Sequence, residues 1–504
     1  MHRKWRFGAS LIAIGVACGA RTPLSLLDDG GATEPDANIG FEGGPDVREG
    51  GPPDASDAHI VPQCPDAAPP ADAGCENLEC RVVSCDGGAH TTLTGRVFDP
   101  AGHNPVYDVL VYIPNRPLDP IPTGVVCSTC QAPASGKPIR TAVTDPQGRF
   151  TLVDVPTGPD VPLVMQLGKW RRAITIPQVD PCADTPLDDP ATMRLPAKTS
   201  EGDMPLIAFT SGCDPAECFL RHIGIDDSEF VPPDSATGHV HFYMGQSNPY
   251  SNVSFSSVPG GNTAAGTYQW WTHAENLLKY DIVFNACECN KWDRNSMGGG
   301  GDAYQAMDQY LSAGGRVFAT HYYGNWFAPP TGTPDLQSVA QWAVPTLPVT
   351  DGTVVEDETV DQSFPKGQAF AQWLVDNQAS PALGQIRLGG TRDDVIAQAP
   401  SGCSTAGGTC LSTPWIVHPG DDHPRYLSFN SPVGRSADQQ CGKAVFSDVH
   451  VSGASDGSLF PGECADADPQ GLYRANETAL EFLFFDLSSC VQDDGKPPKQ
   501  PCGH

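Results

Sequence analysis

Residues able to do chemistry recur where strand-like runs end. Asp281-Ile-Val-Phe-Asn-Ala286 leads into Cys287, Glu288 and Cys289, Arg316-Val-Phe-Ala-Thr320 leads into His321, and Lys443-Ala-Val-Phe-Ser447 is followed closely by His450. A thiol beside a carboxylate, with an imidazole on a neighbouring strand, has the makings of a nucleophile and its base. Ligands of open α/β sheets collect at the carboxyl ends of strands. Cys287, Glu288, His321 and His450 are therefore the catalytic candidates. Ser211, at the end of an earlier run, joins Tyr322, Tyr323 and Trp326 as candidate binding residues. A rim of aromatic side chains at such a crevice suits stacking against a sugar or a peptide.

Oxidation competes with nucleophilic chemistry for the same cysteines. The chain has 18 of them. Cys213 and Cys218 follow one strand while Cys287 and Cys289 end its expected neighbour, so two facing pairs predict two disulfides. Cys127-Ser-Thr-Cys130 has no second Cys/His pair of metal-ligand spacing nearby, which predicts a local loop disulfide. His239 and His241 alternate onto one strand face, and His321, His450, Asp448 and Glu288 could add ligands for a divalent ion. That spacing matches no known motif, so no resident metal and no cofactor is expected. His418 and His423 flank Pro419-Gly-Asp-Asp422, which reads as a hairpin turn. Lys169-Trp-Arg-Arg172 reads as a charged strand edge, with an anion- or glycan-contacting patch as the alternative.

The elements that must position these residues begin after an export signal. Residues 1–17 combine a basic start with a short apolar run, the layout of a signal peptide, and Gly15-Val-Ala-Cys18 resembles the bacterial lipobox, which implies lipidation of Cys18. Residues 18–72 are rich in Asp, Pro, Gly and Ala, too polar to offset the entropy of ordering, and predict a disordered acidic stalk. A formal net charge of −30 over 504 residues argues against nucleic acid as a partner.

Residues 73–200 read as short strands with regular turns, such as Asp145-Pro-Gln-Gly148 between two runs, and predict an antiparallel sandwich. Residues 201–490 alternate strands with helices, among them Pro215–Ile223, Tyr268–Tyr280, Ala303–Ala313 and Glu477–Asp486, which predicts a parallel sheet covered on both faces. Residues 491–504 form a C-terminal tail.

Gly95-Arg-Val-Phe-Asp99, the central Val-Tyr-Ile run, Thr144-Asp145 with Gly148-Arg-Phe150, and Val155-Pro-Thr-Gly158 resemble the carboxypeptidase regulatory-like domain. This implies an Ig/transthyretin-like β-sandwich that acts as a spacer or binding platform. Tyr280-Asp-Ile-Val-Phe284 and Leu311-Ser-Ala-Gly-Gly-Arg-Val-Phe-Ala-Thr-His321 resemble the glutamine-amidotransferase-like proteins, including those of the trehalose-utilisation type. The implied fold is a three-layer α/β, flavodoxin-like domain. Asn285-Ala-Cys-Glu-Cys-Asn290 lacks both glycines of that family's nucleophile elbow.

Asn77-Leu-Glu-Cys80, Gly168-Lys-Trp-Arg-Arg172, Ile223-Gly-Ile-Asp-Asp-Ser-Glu-Phe230 and Tyr426-Leu-Ser-Phe-Asn-Ser-Pro432 resemble a set of bacterial lipoproteins containing the regulatory-like domain. That resemblance implies no particular reaction. The expectation is a multidomain surface lipoprotein, held to a membrane by its lipid, that binds a carbohydrate or protein without catalysis. The alternative is a hydrolase or amidase-like enzyme using Cys287, or His321 and His450 with Glu288.

Overall fold

The computed structural model describes residues 74–130, 132–211, 214–233, 235–244, 270–287, 293–295, 300–328, 334–343, 355–404, 409–451, 460–465 and 474–498. Within them the chain is multi-sheet, mostly β with a few helices. Cys18, Cys213, Glu288 and Cys289 lie outside the described residues, as do the expected signal and stalk.

Seven strands come first: β1 (Thr92–Arg96), β2 (Leu110–Pro114), β3 (Pro138–Val143), β4 (Arg149–Val153), β5 (Gly158–Leu167), β6 (Trp170–Val179) and β7 (Asp184–Leu187). They form a three-stranded sheet ordered β4-β1-β7 and a four-stranded sheet ordered β3-β2-β5-β6. All pairings are antiparallel except β1 with β7. The β3–β4 turn forms as expected, with Gly148 N donating to Asp145 O at 2.8 Å and φ of +71° at Gly148. Apolar side chains of both sheets, including Leu93, Val111, Ile113, Phe150 and Leu163, join one buried cluster.

The rest of the chain builds a sheet of ten strands. Its members are β8 (Ile207–Ser211), β9 (Phe230–Val231), β10 (Val240–Met244), β11 (Ile282–Asn285), β12 (Arg316–Thr320), and, after the small strand β13 (Ala340–Trp342), β14 (Val355–Val360) and β15 (Gln385–Gly389). Beyond β16 (Val395–Gln398), which pairs with β13, come β17 (Thr413–Val417), β18 (Pro424–Ser431) and β19 (Gly442–Ser447). The order is β15-β14-β17-β18-β19-β12-β11-β8-β10-β9. From β9 to β19 neighbours are parallel, and from β19 to β15 they are antiparallel. The apolar runs at β8, β11, β12 and β19 thus form the parallel centre expected for strands buried on both faces.

Helices α1 (Ala216–His222), α2 (Ala303–Ala313), α3 (Pro365–Asp376) and α4 (Arg474–Ser488) cover the sheet, together with single turns at Ala274–Leu277 and Pro334–Gln337. Residues 268 and 269 of the expected helix over Tyr268–Tyr280 lie outside the described residues, and its later part forms a short α-helical turn at Ala274–Leu277. α2 is fixed at both ends by its sequence: the Asp302 carboxylate accepts from Tyr304 N and Gln305 N, and Gly314 closes the helix at φ of +121°.

α4 explains why the N-terminal sheets and the large sheet share a core. Phe484 and Phe485 meet Trp170 of β6 edge-on, at 6.4 and 6.1 Å between ring centroids, while Phe484 also reaches Phe284 of β11. Lys169-Trp-Arg-Arg172 lies at the start of β6, the edge strand of its sheet as expected, and its side chains are engaged within the protein. Trp170 is buried, Lys169 Nζ donates to Pro122 O, Gly124 O and the Asp281 carboxylate, and Arg171 pairs with Asp203 at 2.8 Å. The cluster joins the two regions.

Disulfides reinforce that junction. Among the described residues they link Cys75–Cys80, Cys85–Cys182, Cys127–Cys441, Cys130–Cys490, Cys218–Cys464 and Cys403–Cys410. The expected loop disulfide between Cys127 and Cys130 is corrected: both cysteines reach across to the large sheet's region. Their loop runs alongside the chain's last segment, with Cys130 N donating to Val491 O at 3.3 Å, so the nearest sulfurs are distant in sequence. Cys218 likewise pairs with Cys464, because α1 carries it away from the strand end toward the turn Gly462–Ala465. Cys287 belongs to none of these six bridges, so the predicted partnership between the two strand ends fails for Cys218 and Cys287. No described helix is long and apolar enough to cross a membrane.

Candidate functional site

The parallel register brings the chemistry together. Asn285 of β11 pairs with Ala319 of β12, so Cys287 and His321, each two residues further on, stand level at adjacent strand ends. Thr320 pairs with Ser447 of β19, and the chain after β19 carries His450 to the same edge. The donor atoms of Cys287, His321 and His450 lie within 4.8 Å of one another. Cys287 and His321 are 0 and 1% exposed, whereas the His450 side chain is 25% exposed and is the part of the trio that solvent reaches.

His321 leaves β12 with φ of +46°, a left-handed conformation that costs a non-glycine residue energy and is held only by its surroundings. Its Nε2–H donates to Gly390 O at 3.0 Å. A carbonyl only accepts, so the proton sits on Nε2 and the neutral ring keeps its lone pair on Nδ1. Burial, aided by the charges of His450 and Arg392, holds the His321 imidazole well below its usual titration range. The same Gly390 oxygen accepts from the His450 backbone N–H at 3.2 Å. On the far side, His450 Nδ1 lies 3.7 Å from Asp214 Oδ2, and that oxygen accepts from Val451 N at 2.8 Å.

Asp448, first after β19, is also buried at this edge and accepts from Asp394 N at 2.5 Å. Burial and the neighbouring Asp394 raise its carboxyl well above the ordinary range. Arg392 pairs with Asp394 and donates to Tyr322 Oη at 3.0 Å with its guanidinium 4.3 Å from the centre of that ring. Tyr322 is thereby fixed, partly exposed, at the site's margin.

The other candidates divide. Ser211 ends β8 as expected. Tyr323 and Trp326 do not form a rim: both are 0% exposed within the second buried cluster, where Trp326 meets Trp271 and Tyr304 edge-on. A 3₁₀ turn over His321–Trp326 rolls these rings under the strand end. His239 and His241 do not join the trio. His241 Nδ1 hydrogen-bonds with Tyr280 Oη at 3.0 Å, and His239 Nδ1 lies 3.6 Å from Glu229. His418 and His423 bracket a tight turn, as expected, with His418 N donating to His423 O at 2.9 Å.

Two further groups have metal-ligand composition: Glu356, Glu358 and His418, and Asp393, Asp421 and His423. The Arg425 guanidinium threads between them, donating to Glu358 at 2.9 Å and to Asp393 at 2.5 Å. A buried cation already pairs with Glu356, Glu358 and Asp393, which makes these groups a structural ion network.

Sequence reading missed Asp214, Gly390 and Arg392. Asp214 follows Cys213 at the end of β8, so its position could have flagged it. Gly390 and Arg392 follow β15 and reach the site through the antiparallel bridge of Thr391 with Val449, a pairing of distant segments that leaves no local signal.

No family model matches the chain, and no curated protein does. Among solved structures, a protein of Bacteroides uniformis described as ThuA-like matches over 55% of this chain and 88% of its own, with 9% identity and a TM-score of 0.28. The cohesin–X-dockerin complex of Acetivibrio cellulolyticus, in an interface-mutant form, matches over 28% of this chain and 75% of its own, with 18% identity and a TM-score of 0.14. Likenesses this low carry no inference about the reaction.

Proposed function

We propose that the chain is an exported protein, held at a membrane surface through a lipid on Cys18, whose ten-stranded sheet bears a hydrolytic centre at Cys287, His321 and His450. One observation carries the reading: three residues with reactive side chains, from three separate strand ends, bring their donor atoms within 4.8 Å of one another. Disulfides that close long stretches of chain support export, since such bonds persist in oxidising compartments. The N-terminal sheets are read as a regulatory-like, transthyretin-type sandwich over residues 73–200. The large sheet is read as an amidotransferase-like, flavodoxin-type domain over 201–490, extended by antiparallel strands.

The test is turnover by the full chain on chromogenic esters, amides and glycosides. Turnover that His450→Ala lowers by about 100-fold or more would support the centre. Absence of turnover across the panel, or turnover indifferent to His450→Ala, would overturn it.

A second reading is a non-catalytic module for a carbohydrate or protein. The burial of Cys287 and His321 favours it, because a large ligand would meet chiefly His450 and Tyr322. Retention on glycan or cell-wall arrays without turnover would decide for this reading.

A further inference from the structure

We infer that Cys287, His321 and His450 are the three protein ligands of a single thiophilic transition-metal ion of the zinc class, with the remaining coordination position open beside His450. The inference rests on the reading above that this trio is the functional centre, and it names the cofactor through which the centre works.

The first argument is distance. Tetrahedral zinc, with bonds of about 2.3 Å to sulfur and about 2.0 Å to nitrogen, holds such donors about 3.3–3.6 Å apart. A trio already within 4.8 Å reaches that spacing by side-chain shifts of about 1 Å. The donor set is the second argument. One thiolate and two imidazoles favour zinc, copper or cobalt over magnesium or calcium, which select oxygen.

The third argument is the outer shell. A metal-bound imidazole characteristically gives its other N–H to a carbonyl or carboxylate, which fixes ring orientation and tautomer. Each ring has one nitrogen turned toward a protein oxygen. His321 Nε2–H donates to Gly390 O, leaving Nδ1 for the ion. His450 Nδ1 faces Asp214 Oδ2 at 3.7 Å, leaving Nε2 for the ion, and Asp214 is itself oriented by Val451 N. In the carboxylate–histidine groups around Arg425, a guanidinium already pairs with a carboxylate of each group. On binding, the Cys287 S–H bond breaks, the thiolate electron pair forms the metal–sulfur bond, and the proton leaves to solvent.

The full chain, its disulfides intact, is stripped with a chelator, dialysed and titrated with Co(II), then with Zn(II). One equivalent of Co(II) should bind and produce a thiolate-to-cobalt charge-transfer band together with four-coordinate d–d bands, and Zn(II) should displace it. Cys287→Ser should abolish the charge-transfer band. His450→Gln should weaken binding, and Asp214→Asn should weaken it about 10- to 100-fold. His418→Ala should change nothing. Near-ultraviolet circular dichroism identifies any variant that fails to fold, and His450→Gln, at a partly exposed position, provides the test that does not depend on core packing.

Binding without a thiolate band, binding unaffected by both His450→Gln and Asp214→Asn, or less than a tenth of an equivalent bound would each overturn the inference. The outcome is separable from that of the hydrolytic reading. Metal bound without turnover keeps the site and removes the hydrolase, whereas turnover in the stripped chain keeps the hydrolase and removes the metal.

Discussion

The rings of His321 and His450 stand 4.0 Å apart, centroid to centroid and edge to face, at the ends of two adjacent parallel strands. One carbonyl, Gly390 O, receives both the ring N–H of His321 and the backbone N–H of His450. The segment after β15 therefore sets the geometry of a pair that the parallel sheet only brings close.

Gly390 must be glycine for that arrangement. Its φ is +65°, and an added Cβ would fall 2.9 Å from His450 Cδ2. Gly390→Ala should destabilise the protein by about 1–3 kcal/mol and displace the His450 ring. Thermal unfolding measures the first effect and imidazole NMR shifts the second. A variant with wild-type His450 shifts would show that Gly390 does not position the ring.

Beneath the sheet, Lys366 and Lys443 share the Asp486 carboxylate, and Lys443 also reaches Asp494 at 3.2 Å. Burial alone would raise the Asp486 pKa, but the two lysines hold it down at about 2, against an ordinary 3.8. A depressed carboxyl contributes stability that is present above its unfolded pKa and lost as pH falls through the folded one. About 2 kcal/mol should thus disappear between about pH 4 and pH 2. Asp486→Asn leaves two buried ammonium groups short of a counter-charge and should cost about 3–5 kcal/mol at neutral pH. Urea denaturation from pH 7 to pH 2.5 checks both, and a variant as acid-sensitive as the wild type would contradict the first.

Local patterns made much of this legible, and distant returns of the chain hid the rest. The apolar runs at β8, β11, β12 and β19 and the caps of α2 are local, so the parallel centre and its strand-end residues could be read directly. That Cys287 and His321 stand level follows from parallel register once those strands are neighbours. Cys127 misled because sequence proximity to Cys130 says nothing about which sulfurs a folded loop presents to one another. Tyr323 and Trp326 misled because an aromatic run after a strand reads alike whether the next turn exposes it or, as here, rolls it inward. Gly390 was invisible because its role depends on the bridge of Thr391 with Val449, which joins segments far apart in the chain.

The two bridges Cys127–Cys441 and Cys130–Cys490 span 314 and 360 residues. A single cross-link closing so long a loop limits the unfolded ensemble by about 5 kcal/mol, and the second adds less because the first already confines the same segment. Replacing all four cysteines by serine should lower the unfolding temperature. Non-reducing peptide mapping of the wild type should recover both long-range linkages. A peptide bridged between Cys127 and Cys130 would contradict them.

Glu481 of α4 is buried where the helix meets the segment after β1, and Asn104 Nδ2 donates to its carboxyl at 2.6 Å. Burial, joined by the nearby Asp99, raises the Glu481 pKa well above its ordinary 4.5, and burial raises that of Asp99 as well. For a group whose folded pKa is raised, the stabilising contribution is complete below the unfolded value and lost as pH rises through the folded one. The contact between the N-terminal sheets and α4 should therefore weaken as pH climbs from about 4.5 toward neutrality. Glu481→Gln keeps an acceptor for Asn104 but cannot ionise, so its unfolding temperature should fall less than that of the wild type over the same interval. Parallel melting curves of the two proteins from pH 4.5 to pH 8 make the comparison, and an identical slope in both would show that this carboxyl does not govern the junction.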